Sequence, residues 1–248
     1  MCSVKKRYLL ILVFAFLLAS VLFVCLAVTP ADISARGSNT AVLNRAFING
    51  TSPDYFGASL VAFDFNNDSY NDLAIGASGK TLTGGSKTYF GQIYVFFGGS
   101  SGILNYTAAE ANITINGTSP GLFAAQMIMK DANNDTYEDL TVSADGKNLS
   151  FGGMDYTGQV QIFYLGASGV NACTAADANI TLNGTMPKDY FGTRILMEDV
   201  NNDTLEDLIV SANGKNLSGG RGDWTGQAYI FYGTANGFQS MTSADANI

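Results

Sequence analysis

The chain has 248 residues, 47% hydrophobic and 14% charged, with 13 Lys and Arg against 21 Asp and Glu and a net charge of −8. It contains no His, which removes the commonest general base and the imidazole metal ligand, and its acidic balance argues against nucleic acid or an anionic lipid surface as partner. Of three Cys only Cys173 lies beyond the first 35 residues, so the main body forms no intrachain disulfide and depends on its core and on bound ions.

Lys5, Lys6 and Arg7 precede an uncharged, mostly apolar run of 21 residues, Tyr8 to Val28. A signal peptide carries an apolar core of about 7–15 residues, whereas about 20 span a bilayer. Residues 1–31 therefore read as a hydrophobic helix acting as a signal anchor, with a cleaved signal peptide as the alternative. Either way the remainder is extracellular, membrane-anchored or secreted. Small polar residues over 32–44 form a linker, and beyond residue 35 there are 20 acids against 10 bases.

From residue 45 onward the chain repeats. Asp64-Phe65-Asn66-Asn67-Asp68-Ser69-Tyr70-Asn71-Asp72-Leu73 returns 67 residues later from Asp131 to Leu140, and 68 residues after that from Asp199 to Leu208. The repeats run over about 46–112, 113–179 and 180–248. Each ten-residue copy puts side-chain oxygens at positions 1, 3, 5 and 9, and 11 of the 20 acids lie inside these copies. Calcium takes six to eight oxygens at roughly 2.3–2.6 Å. Three carboxylates, one amide and the carbonyl of position 7 supply most of that shell. Without an ion, like charges at about 4 Å cost on the order of 4 kcal/mol per contact at an effective dielectric of about 20. An EF-hand is excluded, because position 6 is not Gly and position 12 is Ile75, Val142 or Val210 in a strand-like run. The alternative is an Asx-turn hairpin that binds no metal, against which stand three copies with the same oxygens.

Other features keep step with the loops. Phe56-Gly57, Phe123-Ala124 and Phe191-Gly192 stand eight residues before them. Gly91-Gln92, Gly158-Gln159 and Gly226-Gln227 stand 27 residues after each first Asp and open aromatic strands such as Ile93-Tyr94-Val95-Phe96-Phe97. Each repeat reads as four short strands, and nothing past Val28 has helical periodicity. Apolar residues on both faces of the Gly-Gln strand imply small sheets stacked face to face. The fold class is all-β, a β-propeller of four-stranded blades.

At these residues the chain resembles the FG-GAP repeat of the integrin α-subunit propeller and its prokaryotic relatives. The likeness covers about 46–248. It implies calcium in the loop between the first two strands of each blade, held by the side chains of Asp64, Asn66, Asp68 and Asp72 and the carbonyl of Tyr70. The matching sets are Asp131, Asn133, Asp135, Tyr137 and Asp139, and Asp199, Asn201, Asp203, Leu205 and Asp207. Position 6, commonly Gly in that family, is Ser69, Thr136 or Thr204. Three repeats are fewer than the 4–8 blades of a closed ring, so further repeats or an oligomer are expected to complete it. Ala46 to Gly50 is the equivalent of the outer strand at Ile113–Asn116.

No Gly-x-Ser-x-Gly or phosphate-binding loop occurs, and a non-catalytic role is expected. The functional expectation is a calcium-binding propeller for cell-surface adhesion or for binding a protein or glycan ligand. The alternative is an accessory propeller of an exported enzyme. Arg221-Gly222-Asp223 reads as ordinary loop variation, and eleven Asn-x-Ser/Thr sequons leave glycosylation open.

Overall fold

The computed structural model describes residues 46–82, 89–149, 155–217 and 224–248. The hydrophobic segment at 1–31, the linker at 32–44 and Arg221-Gly222-Asp223 lie outside the described residues. Within the described ones, no helix is long and apolar enough to cross a membrane.

Residues 46–248 form one compact unit made of strands. A short β1 (Ile48–Asn49) precedes the first blade, which contains β2 (Phe56–Phe63), β3 (Asp72–Ala77) and β4 (Gln92–Phe96). Next come the two-residue β5 (Tyr106–Thr107) and the outer strand β6 (Ile113–Asn116). The second repeat supplies β7 (Gln126–Lys130), β8 (Asp139–Ala144), β9 (Gln159–Phe163) and β10 (Cys173–Thr174), and the outer strand β11 (Ile180–Asn183) follows at its end. The third supplies β12 (Phe191–Glu198), β13 (Asp207–Ala212), β14 (Gln227–Phe231) and β15 (Met241–Thr242).

Blade 1 runs β2-β3-β4-β6 in antiparallel order and blade 2 runs β7-β8-β9-β11. Blade 3 contains β12-β13-β14, and Asn247 and Ile248 continue it by backbone bonds to Ile230. The first strands of the blades are neighbours, with β7 lying against both β2 and β12. This is the blade arrangement of a propeller, as the fold class anticipates.

The structure adds a fifth strand that the sequence reading lacks. β10 leaves repeat 2 and pairs in parallel with the outer edge of β6 in blade 1, and β15 does the same to β11. An open sheet edge invites unwanted pairing, and here the outer edges of blades 1 and 2 are each closed by the following repeat. The register Ile48↔Tyr106 matches Ile115↔Cys173 one repeat later, so β1 holds the outer-strand position inferred for Ala46 to Gly50. Each clasp strand runs into a single 3-10 turn closed by a capping box, Thr107 with Glu110, Thr174 with Asp177 and Thr242 with Asp245. The Thr-x-x-Glu/Asp spacing was the readable signal for it.

The cores lie between blades. Ala74, Ile93, Val95 and Ile115 of blade 1 meet Phe123, Met127, Leu140 and Val142 of blade 2. Val160, Ile162 and Leu182 of blade 2 meet Phe191, Met197, Val210 and Phe231 of blade 3. β4 and β9 are buried along their whole length, because side chains alternate between faces and both faces carry a neighbour. β14 shows the converse: Tyr229 and Phe231 face blade 2 and are buried, while Ala228 is exposed.

The repeated Gly-Gln and Phe-Gly pairs meet at these junctions. Gly158 has φ +88°, and a Cβ there would lie 2.1 Å from the carbonyl oxygen of Phe191 in the next blade. Phe191 in turn donates its N–H to Thr157 O at 3.1 Å and is fully buried. The glycine is needed because two backbones cross there.

Candidate metal centre

Each candidate loop joins the first two strands of its blade, β2 to β3, β7 to β8 and β12 to β13, so all three lie at the same end of the sheets. In repeat 1 the Asp64 carboxylate accepts the N–H of Asp68 at 3.0 Å and of Ser69 at 2.7 Å. Asn66 Oδ1 accepts the same Asp68 N–H at 3.0 Å, and Asp68 Oδ1 accepts from Tyr70 N at 2.9 Å. Sharing one amide hydrogen brings the oxygens of positions 1 and 3 together. Repeat 2 reproduces this with Asp131, Asn133 and Asp135, and repeat 3 with Asp199, Asn201 and Asp203.

The winding rests on left-handed residues at positions 4 and 6. Asn67, Asn134 and Asn202 have φ of 58°, 61° and 62°, while Ser69, Thr136 and Thr204 have 72°, 76° and 74°. Asn adopts this region readily, but for β-branched Thr it is a strained outlier. Position 6 is where the resemblance expects Gly, and here it keeps the glycine-like conformation without the glycine. The hydrogen bond from its own N–H to the position 1 carboxylate helps hold it.

Position 9 behaves differently from the other acids. Asp72, Asp139 and Asp207 are almost wholly buried. One oxygen of Asp139 accepts from Ala132 N at 2.9 Å and the other from Leu165 N at 2.8 Å. Asp72 bonds Phe65 N and Gly98 N, and Asp207 bonds Val200 N and Gly233 N, in the same way. This carboxylate therefore pins the loop start to the chain leaving the third strand, a bracing role that the sequence reading missed. Burial, opposed by these backbone bonds and reinforced by Asp135 and Asp131, raises the Asp139 pKa to about 6. Asp72 is raised for the same reasons.

Positions 1, 3 and 5 are thus gathered in every loop, with position 9 behind them on the backbone. Among the described residues no three His, Cys, Asp or Glu side chains converge closely enough to hold an ion unaided. A cation would therefore draw on the mixed set: carboxylates at 1 and 5, the Asn oxygen at 3 and the carbonyl at 7. A carboxylate oxygen bearing one N–H keeps a further lone pair, so bracing by position 9 and ligation are compatible. An all-oxygen set fits a hard cation.

The loops also touch the next blade. Asn67 Nδ2 donates to Ala167 O at 2.7 Å, and Val170 N donates to Phe65 O at 2.9 Å. Lys130 at the end of β7 lies 3.1 Å from Glu206 and 3.4 Å from Glu198, both of repeat 3. Whatever stiffens a loop stiffens a blade junction.

Repeat number, blade order and loop placement define a segment of a β-propeller, and the FG-GAP repeat family model matches residues 56–96 within it. Among characterised proteins the chain is similar to phosphatidylinositol-glycan-specific phospholipase D. The Rattus norvegicus protein is 33% identical over 167 residues, which is 66% of this chain and 19% of that protein. The Bos taurus protein is 27% identical over 180 residues, 71% of this chain and 20% of that protein. The Dictyostelium discoideum protein is 28% identical over 191 residues, 72% and 20%. The chain spans about a fifth of the length of the curated relatives it matches.

Proposed function

We propose that this chain is an exported, non-catalytic propeller module that presents a ligand-binding face and is braced at its opposite end by calcium, one ion per repeat. The observation that carries the reading is the threefold recurrence of one hydrogen-bonded loop, with its oxygens at positions 1, 3 and 5 drawn together. A loop that only had to turn would not need left-handed excursions at both positions 4 and 6 and a cluster of acids, each costing free energy. The ions act on stability and on blade alignment.

The relatives favour an accessory form of this module over free-standing adhesion. They are named as phospholipases D specific for phosphatidylinositol-glycan, and the similarity covers a small part of each. In this reading the chain contributes glycan recognition or positioning, and the absence of His anywhere in it accords with chemistry residing elsewhere.

Calcium titration followed by thermal melts and isothermal calorimetry tests the proposal. At a free calcium concentration about 100 times the site Kd, each independent site adds about 2.7 kcal/mol, so the midpoint should climb steeply from chelator to saturating calcium. Identical melts in both conditions, with no heat of binding, would overturn it.

A further inference from the structure

At the end of the sheets away from the metal loops, the junction of blades 2 and 3 carries a row of three aromatic rings. Tyr156, between β8 and β9, stacks on Tyr190, between β11 and β12, with centroids 5.3 Å apart and planes at 17°. Tyr190 stacks in turn on Trp224, just before β14, at 6.0 Å and 21°. Trp224 is 66% exposed, so the row ends in an open indole face. The equivalent rings in repeat 1, Tyr55 and Tyr89, meet at 49° and form no flat row. At the blade 1–2 junction the position of Tyr190 is taken by Leu122.

Polar groups border the row. The single proton of the Thr193 hydroxyl is shared between Tyr190 O at 2.6 Å and Asn213 Oδ1 at 3.1 Å, which holds an exposed Asn beside the ring. Arg194 is exposed on the next residue. Asp145 lies near enough to act on both Arg194 and Tyr190. One of its carboxylate oxygens has no hydrogen-bond partner, a costly condition for a shielded acceptor.

We propose that this row is a saccharide platform on which the pyranose ring of a glycan stacks against Trp224, its hydroxyls bonding the polar side chains alongside. The inference rests on the ligand-binding reading above and names the ligand class. Parallel rings offer one flat apolar face with a wet edge, which matches the C–H face of a sugar. A quaternary ammonium would want rings standing around a point, as in an aromatic cage. A nucleobase would bring phosphates to a protein of net charge −8.

Trp224 is the sole Trp, so its emission reports directly on the site. The full chain in saturating calcium is titrated with methyl glucoside, methyl galactoside, methyl mannoside, N-acetylglucosamine and maltotriose. The expected result is a saturable blue shift with at least one of them, at a Kd on the order of 1 mM. Calorimetry with Trp224→Ala should show that binding lost, Tyr190→Ala should weaken it roughly tenfold, and Tyr190→Phe should preserve it. Silence with every sugar, or equal binding by Trp224→Ala, overturns the platform. Saturation by tetramethylammonium instead of sugars overturns it too. The calcium-dependent rise in Tm, measured on the same samples, reports separately on the metal loops.

Discussion

The two ends of the blades follow different rules. At the end carrying the candidate metal loops the bond from position 5 N–H to the position 1 carboxylate is 3.0, 3.0 and 3.1 Å in the three repeats. At the other end blades 1 and 3 carry ion pairs on buried carboxylates, Lys80 with Asp54 at 2.7 Å and Lys215 with Asp189 at 3.0 Å. Blade 2 has Gly121 where those acids stand, and Lys147 bonds Ser119 instead. One end is a frame copied three times, whereas the other tolerates substitution of charge and ring. Under the proposed ligand-binding role, specificity belongs where the copies diverge.

The largest effect should come from the buried brace. Asp139→Ala strips acceptors from two backbone N–H groups in a dry setting. Charge-assisted bonds are worth about 1.5–3 kcal/mol each, so a loss of at least 3 kcal/mol is expected from urea denaturation in chelator. Asp131→Ala removes partly exposed bonds and should cost about 1 kcal/mol under the same conditions. In calcium it should also forfeit the stabilisation of its own site. Equal costs in chelator would erase the distinction between brace and ligand.

The junction glycines give the next contrast. Gly158→Ala drives a Cβ against Phe191 O and holds a left-handed φ, and should cost about 3 kcal/mol. Gly226 has φ +71° but nothing closer than 3.8 Å around its would-be Cβ. Gly226→Ala should therefore cost only the backbone term, about 1 kcal/mol. Thermal melts of the pair separate blade contact from local conformation.

Much of this was readable in the chain because the governing periods are short. The unbroken apolar run Ile93-Tyr94-Val95-Phe96 shows a strand buried on both faces, and three copies of Asp-x-Asn-x-Asp show the loops. Two things were not readable. A two-residue strand such as β10 has too few residues for any period, and its partner β6 lies 58 residues away in register. The double duty of Asp139 was hidden as well. In the sequence position 9 reads only as a ligand, and its second role appears once the third strand brings Leu165 N to within 2.8 Å of it.

The smallest expected effect lies at the variable end, in Lys147. Burial pushes its ammonium below the ordinary value of 10.5, whereas at Lys80 and Lys215 burial is the largest single influence but is outweighed by the combined attraction of Asp54 with Tyr94 and of Asp189 with Tyr229, so both are raised. In the folded chain the neutral Lys147 amine is favoured, so folding is penalised wherever the unfolded lysine is charged. That penalty is complete below the depressed folded pKa and vanishes above 10.5, so stability at this site rises as pH climbs through the window between them. Lys147→Met should therefore raise the midpoint at neutral pH by an amount equivalent to roughly 1 kcal/mol, and the gain should shrink toward pH 10. Lys215→Met should do the opposite, because it leaves Asp189 buried without its counter-charge. If both substitutions destabilise alike, the ends of the blades differ less in their electrostatics than their geometry indicates.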